Sequence, residues 1–243
     1  MKFRGILITL AMLIFVGTNS CKKISEHNKI NPHALLSDDK YSKLVVEIQS
    51  FEGQEPDANT LENIRTFLEA RLNKPDGISL VSNTINPERA SKYSLSEIEK
   101  LEQKNRTIFS SNSKASIYFL FVDGEFADNA NGNVTLGVAY GASSMVIFEN
   151  SIKQLSGGFG QPSTTILEST VSLHEIGHLL GLVNNGSNMS LAHEDTDHAR
   201  HCNNNNCLMF WQSETSDFIK NFFGSIPALD ENCIKDLQKN GGK

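Results

Sequence analysis

The stretch "TTILESTVSLHEIGHLLGL", Thr164 to Leu182, limits the possible folds more than any other part of this chain. It reads as one helix, apolar on both sides of a polar insert. His174 and His178 stand one turn apart on one face and can present ring nitrogens to a single metal ion. Glu175 then lies beside such an ion instead of on it. A carboxylate in that place can take a proton from a metal-activated water and return it to a leaving group. Gly181, three residues after His178, can adopt positive φ and turn the chain back towards the ion.

The rest of the chain supplies a frame for that helix. "YSKLVVEIQSF" alternates and is β-branched, which predicts a first strand from Leu44 to Phe51. Leu61, Ile64, Phe67, Leu68 and Leu72 form a stripe at helical spacing, with Asp57 or Asn59 as its cap. "PDGISLVSNTI" predicts a turn and a second strand, Ser94 and Glu97 a capping box on a second helix, and "ASIYFLFVDG" a buried strand. This β-α-β-α-β order predicts a sheet backed by helices. Val134 to Ile152 reads as two short extended pieces around Gly141, and "SDFIKNFFGSI" and "LDENCIKDLQKNGG" as closing helices. Between Val183 and Cys207 the chain is polar and without an apolar period, so something other than a core must hold it.

The run from His174 to Gly181 fits HExxHxxG and resembles the metzincin clan of zinc metallopeptidases. In that clan the next ligand follows three residues after the glycine, where this chain has Asn184. A neutral amide oxygen is a poor donor for zinc beside imidazole. Farther on, "HCNNNNCLMFW", His201 to Trp211, is similar to the archaemetzincin signature of histidine, cysteine, four residues, cysteine, one residue and methionine. The resemblance implies His174, His178 and His201 as Zn2+ ligands, Glu175 as general base, and Met209 as the Met-turn beneath the metal. It also implies that "LGVAYGASSMVIF" supplies an edge strand along a substrate cleft. The implied fold is α+β and zincin/metzincin-like: a mixed twisted sheet backed by helices, an active-site helix and a small C-terminal subdomain. The implied activity is zinc-dependent endopeptidase action on protein or peptide substrates.

Two departures from that pattern bear on the site. About 17 extra residues, Asn184 to Arg200, precede the histidine of the signature. The family's later CxxC pair, which holds a second zinc, survives only as Cys233, with Asp230 in its partner's place, so the pattern for a second site is incomplete. The resemblance then leaves Cys202 and Cys207 to pair with each other or with Cys233. His193 rivals His201 as third ligand because it lies on the same loop and nearer the helix. Otherwise His193 and His198 are solvated loop residues, orient a ligand, or bind a structural cation. A gluzincin-type peptidase using Glu214 of "SETSDF" is one alternative, although its spacing to Asp217 is one residue short. A non-catalytic zinc-binding surface lipoprotein is another, and the intact Glu175 speaks against it.

With 243 residues, of which 39% are hydrophobic, the chain can bury one good core, so a single catalytic domain is expected over residues 41–243. A formal net charge of -6, with no Lys or Arg cluster beyond the extreme N-terminus, argues against nucleic-acid binding. Lys2 and Arg4 precede an apolar run, Gly5 to Val16, that is too short to span a bilayer, so residues 1–20 are expected to be a signal peptide. "GTNSC" resembles a relaxed bacterial lipobox. This implies lipidation at Cys21, a tether over residues 21–40, and a membrane partner reached through that anchor. An ordinary cleaved leader with Cys21 uninvolved is the alternative. The layout is similar to lipoprotein membrane metalloproteases of Bacteroidetes-type bacteria, which implies an exported lipoprotein of the cell envelope, on the periplasmic or surface face of the outer membrane. In an oxidising compartment one disulfide among Cys202, Cys207 and Cys233 is expected, with the pairing open.

Overall fold

The computed structural model describes residues 30–129, 132–221 and 224–243. The expected signal peptide and Cys21 lie outside them. Among the described residues no helix is long and apolar enough to cross a membrane.

Five strands form one mixed sheet in the order β2-β1-β4-β7-β6. β1 (Lys43–Phe51) lies between β2 (Ile78–Ile85) and β4 (Lys114–Val122), parallel to both, and β4 is parallel to β7 (Ser144–Phe148). The antiparallel edge strand β6 (Gly137–Tyr140) turns into β7 around Gly141. A smaller parallel pair joins β3 (Lys92–Tyr93) to β5 (Glu125–Phe126). Parallel strands covered on both faces read as unbroken apolar runs, and β4 shows why. Ile117, Phe119 and Phe121 enter one core while Tyr118, Leu120 and Val122 enter the other.

The helices divide between those faces. α3 (Leu95–Asn105), started by the Ser94–Glu97 capping box, packs through Ile98 into the smaller core. α2 (Ala58–Arg71), capped by Asp57, contributes Ile64 and Leu68 to the larger one. That core also takes α5 (Thr164–Leu179), in which every residue from Leu167 to Leu179 is buried. α4 (Glu149–Gln154) precedes α5, and α6 (Glu231–Lys239), capped by Asp230, closes the chain.

Three sequence expectations need correction. Within the residues 21–40 expected as a tether, Ile30 and α1 (Pro32–Leu36) are part of the core. α1 is fixed at its end by the buried Lys74 ammonium, which donates to the carbonyls of Ala34, Ser37 and Tyr41. The metal-motif helix was expected to reach Leu182 but ends at Leu179, since Gly181 takes φ +82° and Val183 and Asn184 also have positive φ. "SDFIKNFFGSI" was expected as a helix and forms a short 3-10 segment, Ser216–Asn221. The bond from Ser216 N to the carbonyl of Val134 anchors that segment to the strand region.

A buried carboxylate pair lies between α4 and α5. Glu168 accepts from the backbone N–H of Asp57 at 3.0 Å, and Glu149, at the start of α4, has a buried Oε2 without a hydrogen-bond partner. Burial first, then repulsion from Glu168, pushes Glu149 up to about 9, against a partial offset from Lys153 at 3.6 Å. Burial also raises Glu168. A carboxyl whose pKa is higher folded than unfolded keeps its proton in the native state while the unfolded chain releases it, so stability falls as pH rises from about 4.5 towards about 9. Glu149→Gln removes that loss. Its denaturant-derived stability is expected to exceed the parent's by at least about 1.4 kcal/mol at about pH 8, the worth of one pKa unit, and by less at about pH 5. An equal pH dependence in both proteins contradicts this reading.

Candidate metal centre

α5 is buried all round and presents His174 and His178 from its last two turns. The Nδ1 of His174 is 2.7 Å from the carbonyl of Leu208. A carbonyl only accepts, so this nitrogen carries the proton and Nε2 of the neutral ring has a free lone pair. Burial first, then the nearby His178, lowers the pKa of His174 to about 3. Burial, then His201 and Arg200, does the same for His178. Both rings are therefore neutral donors at ordinary pH, and their Nε2 atoms lie 3.1 Å apart.

The chain returns to this point at His201. The rings of His174 and His201 stack at 5.2 Å, and His178 meets His201 edge-on at 5.1 Å. The Nδ1 of His201 donates to the carbonyl of Ala199 at 3.1 Å, which leaves its Nε2 buried and without a hydrogen-bond partner. Ligand atoms of His174, His178, His201 and Glu214 all lie within 4.8 Å of one another. Three converging imidazoles and a carboxylate, with a buried nitrogen left unpaired, are the donor chemistry of a zinc site. His193, the rival third ligand, is absent from this cluster. His198 stacks on Trp211 and bonds to Asp195, and His33 on α1 bonds to Asp39 and the carbonyl of Asn240.

Two further residues frame the centre. Glu175 Oε2 accepts from the backbone N–H of Ala139 on edge strand β6 at 2.6 Å, while its Oε1 is buried without a partner. Burial first, then the Glu214 charge, raises the Glu175 carboxyl well above the usual range. Burial also opposes ionisation of Glu214, but its contacts with His201 and His174 outweigh it and hold Glu214 below that range. Beneath the helix, a Cβ at Gly177 would come within 2.3 Å of the Met209 sulfur. Only glycine lets the Leu208–Met209 turn press so close. A cavity bordered by Val138, Ala139, Glu175, His178, Arg200 and Glu214 opens over the centre.

The expected disulfide is absent. Cys202, Cys207 and Cys233 are all free and buried, with the sulfurs of Cys207 and Cys233 3.7 Å apart. Two of them, Cys202 and Cys233, form a second donor group with residues outside any cysteine pattern. Ligand atoms of His193, Cys202, Asp230 and Cys233 lie within 4.8 Å of one another, although the sequence pattern for a second site is incomplete. Hydrogen bonds from the Cys202 and Cys233 thiols lower Cys207 to about 4, and the backbone N–H groups of Met209 and Asp230 also point at its sulfur. His193 is fixed on its far side by Asp236 at 2.8 Å, the outer-shell arrangement usual for a metal-binding imidazole. The signals available in the sequence were Asp230, three residues before Cys233, and a histidine in an otherwise featureless loop.

The sheet and helix arrangement is the archaemetzincin-like zinc-peptidase fold. No family model and no curated protein matches the chain. Among solved structures it is similar to an archaemetzincin from Methanopyrus kandleri, with a TM-score of 0.55 at 14% identity over 82% of this chain and 96% of the other. It is also similar to a zinc-dependent peptidase from Methanocorpusculum labreanum, with a TM-score of 0.52 at 16% identity over 79% of this chain and 99% of the other. At such identities the likeness is one of fold.

Proposed function

We propose that this protein is a zinc-dependent endopeptidase that hydrolyses protein or peptide substrates, with His174, His178 and His201 as metal ligands and Glu175 as general base. The observation that carries this reading is the convergence of three buried ring nitrogens on one point, with the Glu175 carboxylate beside them and a cavity above. Zinc bound there supplies Lewis-acid chemistry, acidifying a water and polarising the scissile carbonyl. Beside such an ion the Glu175 carboxylate would be favoured in its ionised form. Glu175, held through Oε2 by Ala139 N–H, keeps Oε1 free to take the proton of the attacking water and deliver it to the leaving amine. Edge strand β6 has a sheet partner on one side only, so an extended peptide has backbone to lie against.

The second donor group supports a structural ion held by Cys202, Cys233, His193 and Asp230 or Cys207, clamping the inserted loop. The charged start and short apolar run before Cys21 support export and lipid anchoring at the bacterial cell envelope. The alternative of a non-catalytic binding lipoprotein leaves Glu175 beside the site without a task.

Glu175→Gln is expected to keep its metal and lose peptide turnover by about 10²–10⁴-fold. His201→Ala should lose the metal of this centre, whereas His193→Ala should keep it. Unchanged cleavage by the Gln variant, or tight stoichiometric metal at the three-histidine centre in His201→Ala, contradicts the assignment. For the anchor, incorporation of a fatty-acid analogue in the host should vanish in Cys21→Ser, and persistent labelling of that variant refutes lipidation at Cys21.

A further inference from the structure

The three-histidine centre contains a carboxylate that the peptidase reading does not use. Glu214 ends the 3-10 turn Trp211–Glu214, directly after the Met209 turn. Its Oε1 is 3.3 Å from Nε2 of His201, and its Oε2 is 3.6 Å from Nε2 of His174. It thus spans two of the three nitrogens that define the centre. Its main chain is fixed independently of the histidines: the carbonyl of Glu214 accepts from Leu136 N at 2.8 Å, and Thr215 bridges Thr135. The backbone that carries the carboxylate is therefore tied to the segment leading into β6.

The proton inventory shows what the carboxylate faces. His174 and His201 each spend the Nδ1 proton on a backbone carbonyl, at 2.7 Å and 3.1 Å. The Nε2 of each ring then faces Glu214. Both carboxylate oxygens thus stand beside ring nitrogens of the centre, where one divalent ion can be shared by all of these groups. Four nitrogen and oxygen donors also make a complete tetrahedral set for zinc, the arrangement of closed sites, whereas hydrolytic sites keep one position open.

We propose that Glu214 is a fourth protein ligand of this metal, occupying the position that water needs, so that the resting centre is closed and opens only when the carboxylate moves aside. The inference rests on the three-histidine assignment above and adds a built-in restraint to it. Glu214 does not replace His201, as a two-histidine-plus-glutamate site would require; it joins it.

The decisive experiment uses the full-length protein and does not depend on turnover. A crystal structure of the zinc-loaded protein is expected to show a Glu214 oxygen at roughly 2.0–2.2 Å from the metal. A water in the fourth position, with Glu214 withdrawn, overturns the proposal. In the cobalt-substituted protein, azide should perturb the visible spectrum of Glu214→Gln at a concentration at least about ten-fold lower than in the parent, because the neutral amide oxygen is the weaker ligand. Equal azide sensitivity in two fully loaded proteins also overturns it. If Glu214→Gln does not fold, the parent crystal structure decides alone. Failure of the peptidase reading has a different signature: neither protein cuts any peptide although both hold metal, whatever the position of Glu214.

Discussion

The bond between His174 Nδ1 and the carbonyl of Leu208 joins two segments 34 residues apart, and the geometry of the centre follows from it. It fixes the proton on one ring nitrogen and leaves the other free for a metal. It also docks the Leu208–Met209 turn beneath α5, where Gly177 leaves room for the Met209 sulfur. Cys202 N bonds to the carbonyl of Met209 at 2.8 Å, so the turn that supports the helix also fixes the residue next to His201. One contact region thus sets the tautomer of a helix ligand and the position of the ligand that returns from the loop.

The inserted loop is long and polar, and its order comes from polar contacts more than from apolar burial. Asp195 N bonds to the carbonyl of His201, Arg200 N to the carboxylate of Glu194, and His193 to both Asp236 and the sulfur of Cys202. The three thiols lie at the base of this loop, beside α6 and its cap Asp230. A cluster of donors there replaces the core that the loop lacks. This is also why Asn184 need not be a ligand: with φ +63° it belongs to the turn that starts the loop outward, after Gly181 has ended the helix.

Much of the frame was legible because local signals and burial agreed. β1, the Asp57 cap, the Ser94–Glu97 box and the metal-motif helix follow directly from periodicity and capping chemistry. His174, Glu175 and His178 are set by helical spacing alone, and the placing of His201 beside them agrees with the signature around Cys202 and Cys207. What was not legible depends on contacts between distant segments. α1 is five residues long; Asn31 and Pro32 give it a local start signal, but its place in the core depends on Lys74 from another part of the chain. Glu214 was named from the sequence only as a substitute for a third histidine; its approach alongside all three histidines depends on the Thr135–Thr215 bridge. The expected disulfide rested on counting thiols, which could not reveal that His193 and Asp230 would join them.

The central claim is that the converging imidazoles hold a metal that is necessary for peptide hydrolysis. Its most direct test is to measure cleavage of an unfolded protein or peptide library by the purified protein as isolated, after chelation, and after restoration of one equivalent of zinc. The account predicts cleavage that disappears with the metal and returns with it. Cleavage that continues at full rate in metal-free protein contradicts it.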